Sequence, residues 1–163
     1  MARLLVVHHS PSRSMTALTE AVLAGASDDA IEGVEVVDRP ALETTADDVL
    51  AADGVLLGTP ANFGYMSGAL KHFFDSTFLQ VGGSLADDGG AAEGGSAERT
   101  IPFGLYVHGR YDTTGAVRAV MSITGALPWR QAAEVLDVLG DISDDDREGA
   151  YELGGTLAAL LMD

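Results

Sequence analysis

At 163 residues the chain is sized for one domain, since chains usually split only beyond about 250 residues, and its 47% apolar content can supply a core. The absence of cysteine excludes a disulfide framework, thiolate zinc sites, iron–sulfur ligation and thiol catalysis. Nine Lys plus Arg against 25 Asp plus Glu give a formal charge of −16, which repels phosphate backbones and anionic membrane surfaces, so no nucleic-acid partner is expected.

Leu4-Leu5-Val6-Val7 is too short for the roughly 7–15-residue apolar core of a signal peptide. No stretch approaches the about 18 apolar residues of a membrane span. The expectation is a cytoplasmic protein with no membrane insertion. Lys71 is the only lysine, and the excess of aspartate fits either a high-GC genome or salt adaptation.

Apolar runs alternate with helix-period segments five times, the pattern of a parallel sheet with helices on both faces. The first run, Leu4 to Val7, is continuous, as expected for a strand covered on both faces. A Ser-rich turn leads into a helix with Met15, Leu18, Val22 and Ala26 on one face. Gly33 opens a short second strand, Val34 to Val37. Thr45 and Asp48 read as a capping box for a short helix through Ala51. Strand three is Val55 to Leu57, stopped by Gly58-Thr59-Pro60.

The third helix carries the clearest stripe, Leu70, Phe73, Phe74, Thr77, Phe78 and Val81. Residues 82–98 hold six glycines and one large apolar residue, Leu85, and are expected to form a flexible surface loop within one domain spanning 1–163. A fourth strand follows at about Pro102 to Val107, then a helix capped by Thr114. Ala132 to Leu139 reads as strand five. Ser143, followed by Asp144, Asp145 and Asp146, caps a last helix with Ala150, Leu153, Leu157, Ala158 and Leu161 in a stripe. The expected fold is α/β: a single doubly wound five-stranded parallel sheet of order 2-1-3-4-5. In such sheets ligands bind at the carboxyl ends of strands, where the strand order reverses.

Three loops at that edge carry unusual residues. Ser10, Ser12, Ser14 and Thr16 crowd a helix amino terminus, where they either cap the helix or cradle a phosphate with Arg13 as counter-charge. After strand three, Pro60, Ala61, Asn62, Phe63, Gly64 and Tyr65 form either an ordinary turn with Ser67 as helix cap or a rigid border for a flat ring. After strand four, His108, Gly109, Arg110 and Tyr111 precede Asp112; Arg110 and Asp112 read as a solvated pair, and His108 as either structural or catalytic.

The stretch Gly54 to Asp75, with its Gly-Thr-Pro, Phe-Gly-Tyr-Met-Ser-Gly, Leu-Lys and Phe-Asp pattern, resembles the flavodoxin-like NAD(P)H:quinone oxidoreductase and FMN-reductase families. The likeness extends to the serine-rich first loop and the His-Gly third loop. It implies that FMN binds at this edge, with Ser10, Ser12, Ser14, Met15 and Thr16 at the phosphate. Pro60, Ala61, Asn62, Phe63 and Gly64 would border the isoalloxazine, and His108, Gly109, Arg110 and Tyr111 would face its pyrimidine end. The first loop departs from the Thr-Gly-Asn-Thr of flavodoxins, and the third lacks the Gly-rich run of the quinone reductases.

Two uses of such a flavin compete. In one, NAD(P)H is the electron donor and a quinone or similar small molecule the acceptor, with His108 or Tyr111 hydrogen-bonding or protonating it. In the other, the chain is a one-electron carrier of flavodoxin type. Asp112 is the single carboxylate in the ring-facing loops and is opposed by Arg13 and Arg110, which favours the reductase. A flavodoxin-fold binding module without cofactor is a third reading. Hydrolase, dinucleotide-binding and Walker motifs are absent, Asp144-Asp145-Asp146 lacks calcium-loop spacing so that no metal is expected, and the resemblance leaves a homodimer possible.

Overall fold

The computed structural model describes residues 1–90 and 99–162. In chain order the elements are β1 (Ala2–His8), α1 (Arg13–Ala26), β2 (Val34–Pro40), a short 3-10 helix (Ala41–Glu43), α2 (Ala46–Leu50), β3 (Gly54–Asn62), β4 (Tyr65–Met66), α3 (Gly68–Thr77), β5 (Ile101–Gly109), α4 (Thr114–Thr124), β6 (Trp129–Gln131), β7 (Leu136–Leu139) and α5 (Asp144–Ala159). Residues 91–98, the second half of the Gly-rich tract, lie outside the described residues.

The main sheet runs β2-β1-β3-β5-β6, with all of these pairs parallel. The expected order 2-1-3-4-5 is therefore found once the two-residue β4, which pairs only with β3, is set aside. Along β1 the side chains divide by alternation. Leu5 and Val7 join Phe73, Phe74, Ala116 and Val120 under α3 and α4, while Leu4 and Val6 join Met15, Leu18, Val22 and Leu157 under α1 and α5. All four β1 side chains are fully buried, which is why this strand reads as an unbroken apolar run.

The fifth strand departs from expectation. It is split into β6 and β7, and residues 132–135 span what only Gly104 and Leu105 span on β5. Two extra residues at an edge behave like an extended bulge, which interrupts the ladder without loss of the neighbouring pairs. Strand two runs on to Pro40 and strand three to Asn62, so the stretch from Gly58 to Asn62 is strand rather than loop. The regular part of the third helix stops at Thr77, with Val81 still buried through a following turn. Helix α4 is capped differently from expectation: Thr113 occupies the cap position without a side-chain bond, and Asp112 Oδ1 accepts from the Thr114 amide at 2.9 Å.

The last helix is capped as its sequence dictates. Ser143 Oγ accepts from the Asp146 amide at 3.1 Å, and Asp146 Oδ2 accepts from the Ser143 amide at 2.8 Å. Ser143→Ala leaves the Asp146 amide without its partner and is expected to cost about 1 kcal/mol, read as a fall of roughly 2–4 °C in thermal midpoint.

Candidate functional site

Parallel pairing brings the carboxyl ends of β1, β3 and β5 to one edge. His8 lies opposite Gly58, Pro60 opposite His108, and the His9 amide continues the ladder to the Gly58 carbonyl at 3.0 Å. The loops that follow are in contact: a Cβ on Gly109 would fall 3.1 Å from the Ala61 Cβ, and one on Gly115 only 2.2 Å from the Gly64 carbonyl. The three loops singled out in the sequence thus converge.

In the first loop, Ser12 is the cap of α1, its Oγ accepting from the Met15 amide at 3.2 Å. The Thr16 amide bonds the Ser12 carbonyl. The amides of Arg13 and Ser14 have no acceptor among the described residues, at the positive end of a 14-residue helix. Expected phosphate contacts need three corrections. Met15 has its side chain in the core and its amide committed to Ser12. Ser10 is turned inward, its Oγ 2.7 Å from His8 Nδ1 and 2.8 Å from Thr19 Oγ1. Ser12 spends its oxygen on the cap, so its hydroxyl proton is what it can offer outward.

The second loop is a hairpin. Asn62 pairs with Tyr65, and the two residues between them both have positive φ, 51° for Phe63 and 80° for Gly64. That is the geometry of a tight primed turn. Glycine accepts it freely, whereas a Phe pays about 1–2 kcal/mol. Phe63 is nevertheless fully exposed, so no packing on this chain compensates for its conformation. The hairpin base is held by Thr59 Oγ1, which accepts from the Ser67 amide at 2.9 Å, and Ser67 Oγ caps α3.

In the third loop Tyr111 is 91% exposed, while His108 is buried and its Nε2–H donates to the Gly140 carbonyl at 2.7 Å. The expectation that His108 serves as a free proton donor is therefore corrected: it ties β5 to the turn after β7. Arg110 pairs with Asp141 at 3.0 Å rather than with Asp112. The Thr114 amide beside Asp112 holds that carboxyl below the usual range.

The sequence reading passed over His8 and His9. His9 Nδ1 is buried without a partner among the described residues, and burial, then the neighbouring His8, lowers its pKa. A buried polar atom left unpaired costs about 1–3 kcal/mol, which a ligand at this edge would recover. Together with the unfilled α1 amides and two exposed rings, it makes a constellation that fits a phosphorylated planar cofactor. Among the described residues no cluster of three or more His, Cys, Asp or Glu is placed to hold a metal ion, and no helix is long and apolar enough to cross a membrane.

A parallel sheet with a hydroxyl-rich helix terminus after its first strand and aromatic loops after the next two is the architecture of a flavodoxin-like flavoprotein. Residues 7–135 match the NADPH-dependent FMN reductase family, and the chain belongs to it. It is 28% identical over 194 aligned positions to an NAD(P)H dehydrogenase (quinone) of Gluconacetobacter diazotrophicus, covering 98% of this chain and 97% of that protein. It is 34% identical over 85 residues to a flavodoxin of Aquifex aeolicus, where the match spans 52% of this chain and under half, 45%, of the relative. A flavodoxin structure from the domain Archaea superposes with a TM-score of 0.75 at 14% identity, covering 98% of each chain. FMN is the cofactor that goes with this family.

Proposed function

We propose that this chain is an FMN-dependent reductase that passes electrons from NAD(P)H to a quinone or similar small acceptor. The observation that carries the reading is Phe63: a bulky residue kept in a left-handed turn yet wholly exposed, at the edge where the α1 amides stand unfilled. Backbone strain without packing compensation is tolerated where a ligand completes the contact.

When bound, FMN supplies the acceptance and release of electrons, and the protein supplies position and electrostatics. The amides of Arg13 and Ser14, the hydroxyls of Ser12, Ser14 and Thr16, and the Arg13 guanidinium would hold the phosphate, and Ser10 would reach it only with whatever its bonds to His8 and Thr19 leave free. Pro60, Ala61, Asn62, Phe63 and Gly64 would border the ring, together with Gly109, Arg110 and Tyr111. Phe63 offers a ring on which a planar acceptor stacks. The Tyr111 hydroxyl donates a hydrogen bond to an acceptor oxygen, the role His108 cannot take with its Nε2–H committed. The reading also takes the chain as a single cytoplasmic domain that pairs as a homodimer.

The test is steady-state oxidation of NADH and NADPH by the FMN-loaded protein with a benzoquinone acceptor. Phe63→Asn is expected to lower kcat/KM for the quinone about 5- to 10-fold through lost stacking. The same change raises the apoprotein's thermal midpoint by a few degrees, because Asn tolerates the left-handed turn. FMN bound with no nicotinamide oxidation at all would transfer the assignment to a one-electron carrier.

A further inference from the structure

A chain of side-chain hydrogen bonds runs beneath the first loop. Asp38 Oδ1 lies 2.8 Å from His8 Nε2, and His8 Nδ1 lies 2.7 Å from Ser10 Oγ. Ser10 Oγ lies 2.8 Å from Thr19 Oγ1, and Thr19 Oγ1 lies 2.7 Å from the Tyr106 hydroxyl. Thr19 and Tyr106 are buried, the His8 ring is nearly so, and Asp38 is half-exposed at the open edge of β2. Nothing in the reductase reading uses this chain, yet its middle member is a residue of the phosphate cradle.

We propose that His8, held by Asp38, is a proton-sensitive positioning residue for the FMN phosphate, acting through the direction of the Ser10 hydroxyl. The inference rests on the reading that the phosphate sits at the first loop.

The argument is a count of protons. A carboxylate only accepts, so Nε2 of His8 carries a hydrogen toward Asp38 in both protonation states. In the neutral ring Nδ1 is therefore an acceptor, and the single Ser10 proton points at it. Ser10 then presents only lone pairs to a phosphate. Protonation turns Nδ1 into a donor to Ser10 Oγ, and the Ser10 proton is released to point outward at a phosphate oxygen. The imidazolium charge adds to the attraction. FMN and the proton on His8 thus favour each other, so FMN binding draws a proton onto the protein.

The titratable groups facing His8 are few. Asp38 faces it from β2, and Tyr106 faces it from β5 through Ser10 and Thr19 of the first loop and α1. His9 is its neighbour in the chain; the register partners Pro40 on β2 and Gly58 on β3 carry no charge. Tyr106 is fully buried, and burial raises its pKa far out of the neutral range, so it stays protonated and able to donate to Thr19 throughout. Of the groups around this chain of bonds, only the two imidazoles belong to the residue type whose ordinary charge change falls near neutral pH.

The experiment measures FMN dissociation constants by flavin fluorescence quenching between about pH 6.5 and about pH 8.5, above the phosphate's own second ionisation near pH 6. Wild type is expected to bind roughly tenfold more tightly at the lower pH, the size of one hydrogen bond gained to a charged group. Calorimetry at neutral pH in two buffers of different ionisation heat should count net proton uptake. His8→Gln, whose amide can still bridge Asp38 and Ser10 in the neutral pattern, should hold affinity flat at the wild-type high-pH value and abolish the uptake. Asp38→Asn, at a half-exposed position that does not threaten the fold, should move the transition to lower pH. Riboflavin, lacking the phosphate, should bind independently of pH. A pH dependence that survives in His8→Gln assigns the effect to His9 and overturns the proposal, as does tight but pH-independent FMN binding by wild type. FMN binding no tighter than riboflavin at any pH overturns instead the placement of the phosphate. Should His8→Gln fail to fold, an unmoved transition in Asp38→Asn is sufficient to reject the switch.

Discussion

Ser14→Asp is expected to weaken FMN binding about 100-fold while making the cofactor-free protein slightly more stable. Ser14 is the second residue of α1, half-buried, with its amide unfilled at the helix's positive end. A carboxylate there interacts favourably with the helix dipole, typically by about 0.3–1 kcal/mol. The same carboxylate confronts the phosphate at close range. A like-charge pair at 4 Å costs roughly 4 kcal/mol at an effective dielectric of about 20, somewhat less at a partly solvated site, and this separation lies well inside the ~8 Å Debye length. The two effects have opposite signs, which separates them from misfolding. Fluorescence titration of FMN gives the first and thermal unfolding of the apoprotein the second, with Ser14→Ala as the neutral control. Riboflavin affinity should be nearly unchanged by the substitution. A loss of riboflavin affinity equal to the loss for FMN would place Ser14 at the ring and not at the phosphate.

The same reasoning explains how a chain of charge −16 accommodates a dianion. Screening confines the relevant field to the nearest groups: the free amides, the helix terminus and Arg13 favour the phosphate, and the carboxylate of Asp38, which opposes it, is held behind the His8 ring.

How much of this could be read from the chain follows from where local chemistry decides the outcome. Leu4 to Val7, the Thr45–Asp48 and Ser143–Asp146 boxes and the α1 stripe are set by alternation, spacing and capping within a few residues, and the structure matches each. The break between β6 and β7 is invisible locally, because it depends on register against β5, a partner some 30 residues away. Pro60 is a turn signal in isolation, but its neighbours on β5 keep it in the sheet. At the site, loop positions were legible from topology and hydroxyl content. The direction of each side chain was not. Ser10 turns inward because Thr19 interrupts the apolar stripe of α1 with a buried hydroxyl, and His8 ends β1 against Asp38. A threonine between Leu18 and Val22, and a histidine closing an apolar strand, were the available signals, and both are visible only when polar residues on a core face are asked for their partners.

Gly154→Ala is expected to destabilise the fold by about 3 kcal/mol or more, and Gly155→Ala, one residue on, to stabilise it. Helices α1 and α5 cross in backbone contact. A Cβ on Gly154 would stand 2.0 Å from the Val22 carbonyl oxygen, and one on Gly25 only 1.8 Å from the Tyr151 carbonyl oxygen. Both obstacles are main chain, so no rotamer change can relieve them and the helices must separate. Separation opens the layer containing Met15, Leu18, Val22, Leu153 and Leu157, which is packed against Leu4, Val6 and Leu56. Overpacking of this kind typically costs about 1–3 kcal/mol and more where backbone blocks relaxation. At roughly 2–4 °C per kcal/mol for a chain of this size, the midpoint should fall by about 6–12 °C. Gly155 differs only in rotation about the helix axis: its Cβ would meet the Gly25 carbonyl oxygen at 3.4 Å, an ordinary contact. There the gain in helix propensity, about 0.5–1 kcal/mol, is not opposed. Calorimetric melting of the two single variants checks the pair. Equal effects at the two positions would show that α5 does not lie on α1 in this orientation, and with it would go the placement of the α1 terminus from which the phosphate cradle is built.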